Sequence, residues 1–248
     1  MLNDWSETIT PSPPPEMPDA YQLPVLTRVL RAIFRPLFRL VFRALSQVTI
    51  QGRQNIPAYG AYLIAINHVS LYEAPFILAF WPHAPEAVGA ADVWNRPGQS
   101  MLARLYGGIP LNRGQYDRQV MDTMLTVLKA GRPLLLAPEG RRSHEPGMRR
   151  GLPGLAFVID QAAVPVVPVG ISGATDDFLA QALRGKRPAI SMHIGEPIRL
   201  PAITGKGAQR RAARQRNVDL VMLQIAELLP EEYRGVYANS KFSAAETS

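Results

Sequence analysis

The chain has 248 residues, with 27 Lys and Arg against 20 Asp and Glu and a net charge of +7; that length allows one large α/β domain with a substantial core, and the basic balance calls for an anionic partner. The lack of cysteine excludes thiol catalysis, disulfides and thiolate metal sites, and the four histidines (His68, His83, His144, His193) include no close pair of the kind zinc prefers. No recognisable nucleic-acid motif and no aromatic-basic stacking platform accompanies the charge, so no nucleic acid is expected as a partner.

Residues 1–24 hold Pro11, Pro13, Pro14, Pro15, Pro18 and Pro24 among polar groups, the composition of a disordered tail. The basic start and apolar block of a cleavable signal peptide are not found there. In residues 25–48, Val25, Leu26, Val29, Leu30, Ile33, Phe34, Leu37, Phe38, Val41, Phe42 and Leu45 recur at helical spacing. Arg28, Arg31, Arg35, Arg39 and Arg43 form a stripe at steps of three and four. The pattern predicts a basic amphipathic helix, or two short ones meeting at Pro36. It contains no uncharged stretch long enough to span a bilayer. Arginines on one face and apolar residues on the other suit an anionic membrane surface. An amphipathic helix packed on the protein's own core, with its arginines solvated, accounts for the same pattern.

From residue 49 to 235 short apolar runs alternate with helical patterns. Strands are predicted at 61–66, 86–90, 108–111, 133–137, 165–171 and 189–194. Helices are predicted at 73–80, 98–106, 116–130, 152–163 and 208–229. The alternation predicts a single α/β domain with a mixed, largely parallel sheet flanked by helices. Residues 236–248 read as a flexible C-terminal tail. Arg210, Arg211, Arg214 and Arg216, at the start of the last helix, read as a solvated face.

The run Asn67-His68-Val69-Ser70-Leu71-Tyr72-Glu73 follows the first of these strands. An imidazole can act as a base near neutral pH, and a nearby carboxylate can fix its tautomer. Residues five apart do not share a helix face. The pairing therefore requires His68 in the turn and Glu73 in the first helical turn. Ser70 and Glu73 equally fit a capping box, which would leave His68 an ordinary loop histidine. Further on, Gly107-Gly108-Ile109-Pro110-Leu111-Asn112-Arg113-Gly114 ends a strand in one arginine flanked by glycine. The run Leu136-Ala137-Pro138-Glu139-Gly140-Arg141-Arg142-Ser143 carries a buried strand into a charged turn whose Arg141, Arg142 and Ser143 supply donors suited to phosphate. Glu139 is the odd member, useful as an anchor for an arginine or an acceptor for a hydroxyl. The apolar run 164–171 contains Pro165 and Pro168, which predicts an edge strand or an irregular wall lining an apolar groove.

These four blocks, in this order, resemble the glycerolipid acyltransferase superfamily, of the 1-acylglycerol-3-phosphate acyltransferase type. The family's Asn-His-x-Ser-x-x-Asp is matched by Asn67, His68, Ser70 and Glu73. Its Gly-x-Ile-x-x-x-Arg-like run is matched by Gly107, Ile109 and Arg113. Its Pro-Glu-Gly-Thr-Arg-Ser is matched by Pro138, Glu139, Gly140, Arg142 and Ser143, and its Val-Pro-Val-Val-Pro-Val-like strand by 164–169. The resemblance covers roughly residues 50–200. Glu73 stands where the family usually has aspartate, and Arg141 where it has threonine.

The resemblance implies an O-acyltransferase of phospholipid biosynthesis. It would move an acyl group from a thioester donor, acyl-CoA or acyl carrier protein, to the hydroxyl of a lysophosphatidate-like lysophospholipid. His68 would be the general base and Glu73 its orienting acid. Arg113, Arg141 and Arg142 would hold the acceptor's phosphate together with Gly140 and Ser143, while Glu139 orders them or the glycerol. A backbone donor near Gly140 could steady the oxyanion. No metal or other cofactor is implied. The protein would sit peripherally on the cytoplasmic face of a membrane. An acyl hydrolase using the same His68, or a catalytically degenerate membrane-binding homologue, are the alternatives.

Overall fold

The structure, a computed structural model, describes residues 21–112 and 117–238. Arg113 lies outside the described residues, as do 1–20 of the expected Pro-rich tail and 239–248 of the expected C-terminal tail. The strands are β1 (Gln47–Gln51), β2 (Leu63–Ile66), β3 (Glu86–Ala90), β4 (Ile109–Leu111), β5 (Leu134–Leu136), β6 (Val166–Ser172) and β7 (Ala189–Ile194). The helices are α1 (Val25–Leu45), α2 (Glu73–Phe80), α3 (Gln99–Tyr106), α4 (Arg118–Lys129), α5 (Gly154–Ala162), α6 (Phe178–Leu183) and α7 (Gly207–Glu227). One sheet runs in the order β1-β7-β6-β2-β5-β3-β4. Its pairs are parallel except β6 with β7, which is the mixed, largely parallel sheet expected.

β2 lies at the centre and is buried along its whole length. Leu63 and Ala65 enter one core, with side chains of α4, α5 and α7. Ile64 and Ile66 enter the other, with α2, Phe42 of α1 and Phe178 of α6. A strand covered on both faces needs an unbroken apolar run rather than alternation, and Leu-Ile-Ala-Ile supplies it. The loops at the carboxyl ends of β2 and β5 therefore open beside each other. That is where open α/β sheets place their ligands.

The expected elements differ from the structure at several places. α1 ends at Leu45, so Gln47 and Val48 belong to β1 rather than to a helix reaching 48. Ser46 stops the helix, with extended backbone and its Oγ donating to Phe42 O at 2.6 Å. β1 escapes sequence reading because Gln47, Thr49 and Gln51 face solvent at a sheet edge. β6 is not an edge strand, since it pairs with both β2 and β7. Pro168 is tolerated because it stands where the β7 ladder ends, accepting Gly195 N–H on its carbonyl at 2.9 Å. Its side chains are buried in the cores and line no groove. The packed body also runs past 235, because Tyr237 is buried and its hydroxyl accepts from Gly151 N–H at 3.2 Å.

α1 is one continuous helix through Pro36, and its faces are the reverse of both expectations. Three of the five arginines turn inward, while Arg28 and Arg43 stay exposed. Arg31 is buried, and Arg35 and Arg39 donate to Leu78, Trp81, Pro82 and Ala79 carbonyls at the end of α2. Those carbonyls have no partner within their own helix and carry its negative dipole end, so guanidinium groups cap them. The outward face is apolar: Val25, Leu26, Val29, Ile33, Leu37, Leu40 and Val41 are exposed. Among the described residues no helix is long and apolar enough to cross a membrane.

Candidate active site

β2 hands the chain to Asn67, which is fully buried. Its carboxamide adds a rung between two strands, Nδ2 donating to Ile171 O at 2.8 Å and Oδ1 accepting from Ile171 N at 2.7 Å. The next residue, His68, is thereby aimed out of the sheet, and its ring lines a large cavity.

Glu73 is completely buried behind that ring. Its Oε2 lies 3.1 Å from His68 Nδ1. Its Oε1 accepts from the N–H groups of Ser70 at 2.8 Å and Val69 at 3.2 Å, and from Ser70 Oγ at 3.2 Å. Ser70 Oγ in turn accepts from Tyr72 N–H at 3.1 Å. The helix is not capped by Ser70, because its N-cap is Tyr72, which makes no side-chain cap bond. One Glu73 oxygen braces the turn before α2 through Val69 and Ser70, without the reciprocal Ser70 bond of a capping box, and the other meets the imidazole. The additional methylene, relative to aspartate, still brings the carboxylate within hydrogen-bonding reach. With Nδ1–H held by Glu73, Nε2 is the ring atom left to take a proton.

The loop after β5 forms the second wall. Ser143 N–H and His144 N–H donate to the carbonyls of His68 and Val69, both at 2.9 Å. Among the described residues Glu139 makes no hydrogen bond or ion pair with an arginine side chain. It is buried, with Oε1 accepting His68 N–H at 2.8 Å and Oε2 accepting Arg149 N–H at 2.7 Å. It therefore ties the histidine loop to the arginine loop. Burial pushes its carboxyl up to about 7, the two backbone N–H groups opposing and the nearby Glu73 charge reinforcing the shift. Gly140 takes φ +69°, where a Cβ would sit 2.6 Å from Leu152 Cδ1. Its N–H donates to Ala137 O at 3.1 Å, so Gly140's own amide is not a spare oxyanion donor. Ser143 Oγ closes a local turn onto Glu145 O at 2.6 Å.

Of the expected residues, His68, Arg141 and Arg142 line the cavity together. Arg149 and His144 join them. His144 escaped the sequence reading although it directly follows Ser143. It adopts φ +69°, uncommon for a side-chain-bearing residue, and its Nδ1 lies 2.8 Å from Asp176 Oδ2. Asp176 also lies 3.7 Å from Arg142. No sequence signal marks Asp176, which arrives from the turn before α6.

The cavity holds about 530 Å³. Beyond the histidine and the arginines its walls are largely apolar, with Leu71, Leu78, Val88, Trp94 and Leu102 among them, and Phe34 and Phe38 from α1. Arg31 reaches its wall from a buried ionic cluster. Glu86 takes Arg31 in two hydrogen bonds of 2.9 and 2.7 Å, Arg132 in two of 2.9 and 2.7 Å, and Tyr21 Oη at 3.0 Å. Burial alone would raise the Glu86 carboxyl, but the Arg31 hydrogen bonds and the Arg31 and Arg132 charges hold it below the ordinary range.

The acyltransferase family model matches residues 47–172, just over half of the chain. The lyso-ornithine lipid O-acyltransferase of Pseudomonas aeruginosa is 28% identical over 149 residues, which are 53% of this chain. The match spans 57% of that relative's length. The crystal structure of the 1-acyl-sn-glycerophosphate acyltransferase PlsC from Thermotoga maritima superposes with a TM-score of 0.56 at 20% identity, over 79% of each chain. That likeness is one of fold. The family model spans β1 to β6, and the chain belongs to the acyltransferase family of the glycerolipid acyltransferase superfamily.

Proposed function

We propose that this protein transfers an acyl group from a thioester, carried by coenzyme A or acyl carrier protein, to the hydroxyl of a lysophospholipid at a membrane surface. The observation that carries the reading is the His68–Glu73 pair at 3.1 Å, opening on a cavity that is cationic on one side and apolar on the other. His68 Nε2 takes the acceptor's hydroxyl proton as the oxygen attacks the thioester carbonyl. Glu73 steadies the imidazolium that results. Collapse of the tetrahedral adduct breaks the C–S bond, and the thiolate leaves with the proton returned from His68. Arg141, Arg142 and Arg149 face the acceptor's anionic head group, with Arg113 in the role its block implies. The apolar walls take an acyl chain. Glu139, with both oxygens committed to backbone, positions the two loops.

The membrane contact in this reading is the outward face of α1, whose apolar side chains enter the lipid while Arg31, Arg35 and Arg39 hold the helix to the body. The same helix supplies cavity walls through Phe34 and Phe38, so the substrates' chains have a short path from bilayer to His68.

A second reading concerns the acceptor alone. Asp176, 3.7 Å from Arg142, places a carboxylate beside one of the cavity's cations. That mixture suits a head group bearing both an amine and an anion, such as the lyso-ornithine lipid in the relative's name. Purified protein given lysophosphatidate and lyso-ornithine lipid, each with acyl-CoA and acyl carrier protein donors, tests both readings by mass spectrometry of products. An acylated lysolipid absent from His68→Ala supports the transferase. Free fatty acid formed without any acceptor would replace it with a hydrolase.

A further inference from the structure

A second pocket, sharing no residue with the catalytic cavity, lies at the carboxyl end of α1. It holds about 260 Å³ and is lined by Arg43, Arg53 and Arg187 together with Ser46, Gln47, Val48, Ile50 and Phe80. No carboxylate lines it, and none of the three arginines makes an ion pair among the described residues. Three like charges around one small space repel each other and raise the potential there until an anion enters.

The arrangement is built from three separate parts of the chain. Arg43 comes from the last turn of α1, its guanidinium 5.6 Å over the Phe80 ring. Arg53 follows β1, and Arg187 precedes β7. Arg187 adopts φ +47°, an uncommon backbone for a residue with a side chain. Its Nη2 donates to Arg43 O at 3.0 Å and Ser46 O at 3.4 Å, satisfying the end of α1 and holding the guanidinium at the pocket. Planar guanidinium forks match phosphate oxygens in geometry as well as charge.

We propose that this pocket binds the phosphate of an anionic membrane lipid. The lipid is favoured over free phosphate by what lies beside the pocket. Arg43 belongs to the same helix as exposed Leu37, Leu40 and Val41, so a bilayer that takes up that face brings its head groups to the level of Arg43. To that extent the inference rests on the membrane reading of α1. The pocket is distinct from the acceptor site: Phe34, which lines the catalytic cavity, and Arg43 are nine residues apart, about 14 Å along a helix axis. A lipid held there would not be a substrate. It would set how the catalytic cavity faces the bilayer.

The test is co-sedimentation of the full chain with vesicles of phosphatidylcholine alone or with added phosphatidylglycerol. Each cation near an anionic surface contributes about 1 kcal/mol, about fivefold in binding. Arg53→Gln/Arg187→Gln should therefore lose about thirtyfold on anionic vesicles and nothing on neutral ones. Arg53→Gln alone, whose guanidinium has no partner among the described residues, should lose about fivefold with an unchanged melting temperature. Arg211→Gln/Arg216→Gln removes equal charge from exposed positions on α7. An equal loss in that control would reduce the effect to net charge and overturn the pocket. Calorimetry with inorganic phosphate decides the source. Micromolar binding of phosphate, with vesicle binding unchanged in the double variant, would overturn the lipid assignment. Wild-type binding to both vesicle types without any change in the variants sinks this inference and leaves the membrane reading of α1. Binding to anionic vesicles only, lost in the double variant, sustains the pocket and removes the apolar-insertion reading.

Discussion

Glu73 reaches His68 Nδ1 with one carboxylate oxygen, at 3.1 Å, and with the other holds the backbone of Val69 and Ser70, at 3.2 and 2.8 Å. The His68–Glu73 pair and the turn before α2 are thus one hydrogen-bonded unit. The imidazole is oriented by the same side chain that braces that turn.

Separate measurements follow for the two partners. His68→Ala should lose acyl transfer by about two to four orders of magnitude, the usual range for a general base, with no change in melting temperature, since the ring packs at a cavity wall. Glu73→Ala should lose activity and also about 1–2 kcal/mol of stability through the lost hydrogen bonds to the turn. Glu73→Gln retains an acceptor for the backbone and should lose mainly turnover. Equal activity of wild type and Glu73→Gln, measured at equal protein stability, would remove Glu73 from the mechanism.

Glu139 makes stability depend on pH in an unusual direction. Its carboxyl is raised from an ordinary 4.5 to about 7, so between those values the folded protein binds more protons than the unfolded chain. Its contribution is full below 4.5 and is lost as pH rises toward 7. The loss is about 3 kcal/mol for a shift of this size. Urea unfolding of wild type and Glu139→Gln at pH 5 and pH 8 should show a smaller pH difference in the variant. Parallel pH profiles would contradict the assignment.

The Arg31–Glu86 pair is buried on both sides, 3% and 0% exposed. Removing one partner leaves the other charge without compensation. Glu86→Ala should cost about 3–5 kcal/mol, and it strands both Arg31 and Arg132. Arg132→Ala should cost less, because Arg31 still neutralises Glu86. Both costs are read by chemical denaturation. An acyl-chain profile that also changes in Arg31→Ala would tie the cluster to the cavity wall it supports.

The two faces of α1 should respond oppositely. Ile33→Gln/Leu40→Gln should weaken vesicle binding by two orders of magnitude or more, since each apolar side chain buried in lipid contributes about 1.5–3 kcal/mol. It should leave the melting temperature unchanged, because both side chains are exposed. Arg39→Ala should lower the melting temperature by removing a cap from the end of α2. If Ile33→Gln/Leu40→Gln unfolds the protein instead, α1 packs through the opposite face from the one observed.

Much of the architecture is readable because local pattern and tertiary environment agree. The Leu-Ile-Ala-Ile run forms the expected strand, buried on both faces, and residues 73–80 form the expected helix. The misreadings have physical causes. β1 is half solvent-exposed and carries no apolar run. β6 is central despite two prolines, because Pro165 precedes it and Pro168 meets the end of a ladder. The arginines of α1 were legible as a stripe, but periodicity gives the existence of two faces and not which one turns inward. Open carbonyls at the end of α2 settle that, and they belong to another element.

By itself the chain determined the class of fold and placed an imidazole and an acid five residues apart after a buried strand. Those follow from apolar periodicity and from residues close in sequence, where chain geometry leaves few arrangements. Only the tertiary structure decided that Glu139 braces two loops, that Asp176 meets Arg142 and His144, and that Arg43, Arg53 and Arg187 converge. Each depends on groups brought together by strand order and by backbone carbonyls seeking donors, and neither is written in the spacing of any one segment.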